Sequence, residues 1–204
     1  MSKKTKQLLV EGNDDFHTIM ALSQKFKINE NFDIVDCKGI DTLFAELPVR
    51  LRQPGIDTLA IIVDADTEIN NRWSTIKSIF FKSGIVIPDE INAGGLIVKS
   101  EDITIGVWIM PNNKLNGMLE DFISFLIPKE DELLPIAQQT LETIESRTLN
   151  KYITSHKSKA LIHSWLAWQE SPGTPMGQAI TKKFLTTDEA TCQKLMGWLQ
   201  TVFQ

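Results

Sequence analysis

Apolar residues come in short blocks along this chain, and the blocks alternate between two periods. From about Thr5 the chain runs into Leu8-Leu9-Val10 and then into Glu11-Gly12-Asn13-Asp14-Asp15. The apolar block reads as a first strand. Asn13 has the side chain of a helix N-cap, and Asp14 and Asp15 would sit in the first turn, where the helix dipole favours acids. Phe16, Ile19, Met20 and Ala21 follow at helical spacing, and this helix should end near Lys27. Phe32 to Cys37 reads as a second strand broken by Gly39. A helix over 40–51 should be bent or interrupted at Pro48. Asp57 to Val63 is the clearest strand, and it runs directly into Asp64-Ala65-Asp66.

The second half has a different texture. A helix is expected over 70–82, with Trp73, Ile76, Ile79 and Phe80 on one face, closed by Ser83-Gly84. Ile85 to Ile87 and Gly94 to Val98 read as short strands or an extended excursion. Ile103 to Met110 is a fourth strand of the main sheet. A helix over 118–126 opens with Leu119-Glu120-Asp121 and stops at Pro128. Further helices are expected over 130–150 and 157–169. A last apolar stretch from Ile180 to Phe203 lies beyond the loop Ser171-Pro172-Gly173-Thr174-Pro175.

Strand–helix alternation through the first half predicts an α/β fold: a mostly parallel sheet with helices on both faces. Residues 1–126 would form the core and 127–204 a C-terminal helical extension packed on it. Right-handed crossovers put all parallel strand ends on one edge, where α/β folds bind ligands. Glu11, Asp64 and Asp66 follow the first and third strands. In extended backbone, alternate residues share a face, so Asp64 and Asp66 would point the same way. Three carboxylates at one edge suit Mg²⁺ or Mn²⁺, one ion or two, with substrate phosphate completing the shell. The opposing reading is that acids after strands simply cap helices.

Composition changes this picture little. The 204 residues are 42% hydrophobic and 23% charged, ordinary for a globular chain. No apolar run approaches a membrane span. The start, Met1 to Lys6, is basic but lacks the longer apolar segment of a signal peptide, so a cytoplasmic location is expected. Cys37 and Cys192 lack metal-ligand spacing and are expected to be reduced thiols. The net charge of −5 argues against a broad basic surface. Ions on a carboxylate cluster would still make a local site hospitable to phosphate.

Val10-Glu11-Gly12-Asn13-Asp14-Asp15, with Val63-Asp64-Ala65-Asp66 farther on, resembles the Toprim superfamily over roughly residues 5–126. That superfamily includes topoisomerases, bacterial primases, a ribosomal-RNA maturase and nucleases of the overcoming-lysogenisation-defect type. Ile105 to Asn113, Gly117 to Phe122 and Trp165-Leu166-Ala167-Trp168-Gln169 resemble a family of small stand-alone Toprim-like proteins over nearly the full length. The resemblance implies a divalent-metal-dependent phosphodiesterase, foremost a nuclease acting on DNA or RNA. Glu11 matches the general acid or base, or a metal ligand in the nuclease branch. Asp64 and Asp66 match the metal pair, and Gly12 the glycine of a tight turn.

The chain also departs from the superfamily. Tyr152 is the single tyrosine and has no topoisomerase context, and no zinc module occurs. No Gly-x-x-x-x-Gly-Lys-Ser/Thr loop is present, so an ATPase partner would be a separate chain. Glu120 and Asp121 either serve the helix dipole or add metal ligands. Lys157 or Lys159 either belongs to the solvated face of a helix docked by Trp165 and Trp168, or approaches substrate phosphate as a catalytic cation. Two rival functions stay open: a non-catalytic module binding nucleic acid or protein, and a hydrolase of a small phosphorylated ligand.

Overall fold

The computed structural model describes residues 5–99 and 102–204. The basic start, Met1 to Lys4, lies outside the described residues. Five strands form one sheet in the order β2-β1-β3-β5-β4: β1 (Thr5–Val10), β2 (Asp33–Asp36), β3 (Ile56–Asp64), β4 (Leu96–Lys99) and β5 (Thr104–Met110). The β2-β1-β3-β5 pairings are parallel, and β4 closes the edge antiparallel to β5. The chain leaves β1 for β2 on one side and returns to β3 on the other. That reversal opens a crevice at the C-terminal ends of β1 and β3.

The alternation of side chains along the strands feeds two cores. On one face Leu8, Val10, Ala60, Ile62, Trp108 and Met110 pack with α1 (Asn13–Lys25), α4 (Leu119–Phe125) and the C-terminal helices. On the other, Leu9, Leu59, Ile61, Val63, Val107 and Ile109 pack with α2 (Ile40–Leu51) and α3 (Ile69–Lys82). This is the α/β arrangement expected, with helices on both faces of a mostly parallel sheet. No helix among the described residues is long and apolar enough to cross a membrane.

The C-terminal helices are α5 (Leu133–Ser146), α6 (Lys157–Ala167), α7 (Met176–Thr181) and α8 (Ala190–Val202). They join the first core through buried Trp165 and Trp198. Each indole also satisfies its N–H. Trp165 Nε1 donates to Asp131 Oδ1 at 3.0 Å, and Trp198 Nε1 to the Leu96 carbonyl at 2.9 Å. Gly106 on β5 is where α8 comes closest. A Cβ there would stand 2.9 Å from Val202 and 3.0 Å from Trp198, so a larger residue would push the helix off the sheet.

Two local expectations are corrected, at Asn13 and Pro48, and two that were left open are resolved. Gly12, with extended backbone, is the N-cap of α1, and Asn13 is already helical; no side chain caps this end. The α2 helix runs through Pro48 without a break. Ile85 to Ile87 form no strand: Ile87 is buried and Ile85 partly buried, covering the α2–α3 core as loop residues. Hydrophobicity there reports coverage rather than pairing. The last apolar stretch divides into two helices, α7 and α8.

Candidate metal centre

Glu11 is the first residue beyond β1. Its Oε1 accepts the Asp64 backbone N–H at 2.7 Å, tying the end of β1 to the end of β3. Asp64 in turn accepts the Leu119 N–H on Oδ1 at 2.9 Å, drawing in the start of α4. That contact carries Glu120 into the crevice, where it is 1% exposed. Its Oε1 accepts from Lys159 Nζ at 2.7 Å, and its Oε2 has no hydrogen-bond partner among the described residues. Asp15, in the first turn of α1, is buried as well, and its Oδ1 also lacks a partner among the described residues. Glu11, Asp15, Asp64, Glu120, Lys38 and Lys159 line one cavity of about 390 Å³.

The electrostatics follow from crowding like charges in a poorly solvated place. Burial pushes the Asp64 carboxyl well above its usual range, and repulsion from Asp15, Glu11 and Glu120 adds to it. Asp15 is pushed up to about 7, by burial first and then by Glu11. Glu11 is also raised by burial, although the Asp64 N–H and the Arg72 charge oppose it. Burial works most strongly against the Lys159 charge, but the Glu120 hydrogen bond and the charges of Glu120, Asp64 and Asp15 together outweigh it and lift the amine above an ordinary lysine. A cation is the group that would satisfy both the free oxygens and the repulsion. The donor set is all oxygen, which suits Mg²⁺ or Mn²⁺.

As the side chains stand, no three Asp, Glu, His or Cys among the described residues converge closely enough to hold an ion. Several of the acids have an oxygen engaged elsewhere, which accounts for this in part. Asp66 is the clearest case. Its backbone is left-handed, with φ of +54°, and its N–H and carbonyl pair with Gly117 at 2.8 and 2.7 Å. The extended geometry expected for Asp64-Ala65-Asp66 is therefore lost at its last residue. The Asp66 carboxylate pairs with Arg72 and lines a neighbouring depression with Thr67, Asn71 and Thr75. Asp121 has both oxygens engaged, Oδ2 by the Met118 N–H at 2.8 Å and Oδ1 by Ser158 Oγ at 2.6 Å.

Of the two candidate lysines, the fold brings Lys159 to the cavity, while Lys157 pairs with Glu145. Asp15 is the residue that sequence reasoning passed over. It shares a buried stripe with Thr18, Ile19 and Leu22, at spacings of three, four and seven. An acid on the apolar stripe of a helix was the available signal. Gly12 has an extended backbone, and a Cβ there would meet only Asp15 Oδ2 at 3.6 Å.

A protein-family profile matches residues 5–204. The chain belongs to that family, DUF3226, described as a protein of unknown function. Among solved structures, the DUF3226 chain is similar to the C-terminal region of the Burkholderia pseudomallei OLD protein. The TM-score is 0.50 at 13% identity, over 98% of this chain and 99% of that one. At this identity the likeness speaks for the fold alone. It is the Toprim-like fold that the motifs around Glu11 and Asp64 resemble. No curated protein matches the sequence.

Proposed function

We propose that this protein is a divalent-metal-dependent phosphodiesterase, foremost a nuclease acting on DNA or RNA. One observation carries the reading. Two buried carboxylate oxygens without partners among the described residues, Asp15 Oδ1 and Glu120 Oε2, belong to the same solvent-reachable cavity as Glu11, Asp64 and Lys159. The Toprim-like motifs and fold support it by analogy.

Glu11, Asp15, Asp64 and Glu120 would hold the ion. Bound there, Mg²⁺ or Mn²⁺ would supply Lewis acidity to a phosphate and a water. Lys159 keeps its proton through Glu120 and presents a fixed positive charge for a phosphate oxygen. Glu11, whose proton affinity burial raises, is suited to receive a proton from water. Asp121 holds the entry of α4 and the Ser158 hydroxyl in place, which positions Glu120 and Lys159.

Purified protein is assayed on single- and double-stranded DNA and RNA with Mn²⁺, Mg²⁺ or chelator. Metal-dependent cleavage that disappears in Asp64→Ala, with the thermal transition retained, is the expected result. Cleavage that survives Asp64→Ala refutes the site. Faster turnover of a small phosphate ester than of any polymer would replace the nuclease reading. Mn²⁺ binding with no cleavage of any substrate would favour a binding module.

A further inference from the structure

Resting on the metal-centre reading, we propose that Arg72 is a positioning residue that holds Asp66 away from the carboxylate cavity. A second divalent cation then binds only when Asp66 exchanges Arg72 for it. Three observations place Asp66 at this branch point. Its backbone is fixed: the paired bridge to Gly117 anchors it, and Asn116 clamps the same loop from the other side. Asn116 accepts the Ile69 N–H at 2.9 Å and donates to the Thr67 carbonyl at 2.5 Å. The carboxylate can therefore change place mainly by side-chain rotation.

Arg72 is also held from more than one side. Its guanidinium lies 5.5 Å from the centre of the Phe44 ring, and its backbone N–H donates to the Glu68 carbonyl at 3.1 Å. Its side chain is 13% exposed, whereas that of Asp66 is 49% exposed. The arginine is the seated partner and the carboxylate the movable one. Finally, Asp66 already acts at the cavity electrostatically, since its charge adds to the repulsion felt by Glu11 and Asp64. Rotation would convert that repulsion into shared coordination.

The test is Mn²⁺ binding by isothermal calorimetry and by electron paramagnetic resonance of free Mn²⁺. Four proteins are compared: wild type, Arg72→Gln, Asp66→Asn and the double variant. Arg72→Gln should tighten the weaker Mn²⁺ site by roughly three- to tenfold, the scale of one partly exposed charge-assisted pair. Removing a positive charge would by itself tighten any nearby cation site. The double variant separates the two causes: if Arg72 acts through Asp66, Arg72→Gln has no effect in the Asp66→Asn background. Phe44→Leu keeps the charge but removes the ring beneath it, and should tighten the weaker site in the same direction. An Arg72→Gln effect equal in both backgrounds overturns the inference while leaving the metal centre standing. So does unchanged Mn²⁺ binding in Arg72→Gln. Absence of Mn²⁺ binding in every variant overturns the metal centre and this inference with it.

Discussion

Asp15 offers the most direct test of the centre, because its ionisation is unfavourable in the folded chain unless a cation is present. An ordinary aspartate titrates at 3.8, and in the fold Asp15 is pushed up to about 7. Between those values the folded state holds a proton that the unfolded chain has released, so stability falls as pH rises from about 4 to about 7. The loss is absent below that window and complete above it. At roughly 1.4 kcal/mol per pH unit, its ceiling is about 4 kcal/mol. Water reaching the cavity lowers the real cost, and asparagine gives up about 0.3–1 kcal/mol of helix-dipole attraction. Asp15→Asn should therefore stabilise the metal-free protein by about 2 kcal/mol at pH 8, which is about 4–8 °C in thermal midpoint for a chain of this size. The gain should shrink to nearly nothing at pH 4. Saturating Mn²⁺ should reverse the order, raising the wild-type midpoint more than that of Asp15→Asn. Thermal melts at pH 4, 6 and 8, in chelator and in Mn²⁺, read all of this. A destabilised Asp15→Asn at pH 8 in chelator, or a gain independent of pH, would refute the reasoning.

Two further predictions concern the shell of the site. Lys159→Met leaves Glu120 buried without its counter-charge and should cost about 2 kcal/mol in urea denaturation, below the range for fully buried pairs because the lysine is partly exposed. Adding Glu120→Gln should recover most of that loss, and failure to recover would mean that the lysine stabilises by packing alone. Gly117→Ala should cost about 1–3 kcal/mol. Its φ is +136°, and a Cβ there would stand 2.6 Å from Asp121 Oδ2, so a urea midpoint equal to wild type would contradict the described turn.

The sheet was legible because its strands carry a strong local signal. Leu59 to Val63 is apolar throughout and buried on both faces, as a central parallel strand should be. Glu11 and Asp64 could be read as edge acids from those strand ends alone. What escaped depended on contacts distant in sequence. The left-handed turn at Asp66 is set by pairing with Gly117, fifty-one positions on, and nothing in Asp64-Ala65-Asp66 announces it. Asp121 is occupied by Ser158, which arrives from α6. Asp15 was hidden in plain view, since two adjacent acids at a helix start already have an adequate electrostatic reason to be there.

The Lys159–Glu120 contact changes what can be removed from this chain. A chain cut after α4 would keep the whole sheet and every acid of the crevice. It would also keep Glu120 in the heart of the protein and discard the ammonium that answers it. Such a fragment should be a poorer template for engineering than its tidy boundary suggests. Helix α6, well beyond residue 126, is as much a part of the crevice as the strand ends that carry Glu11 and Asp64.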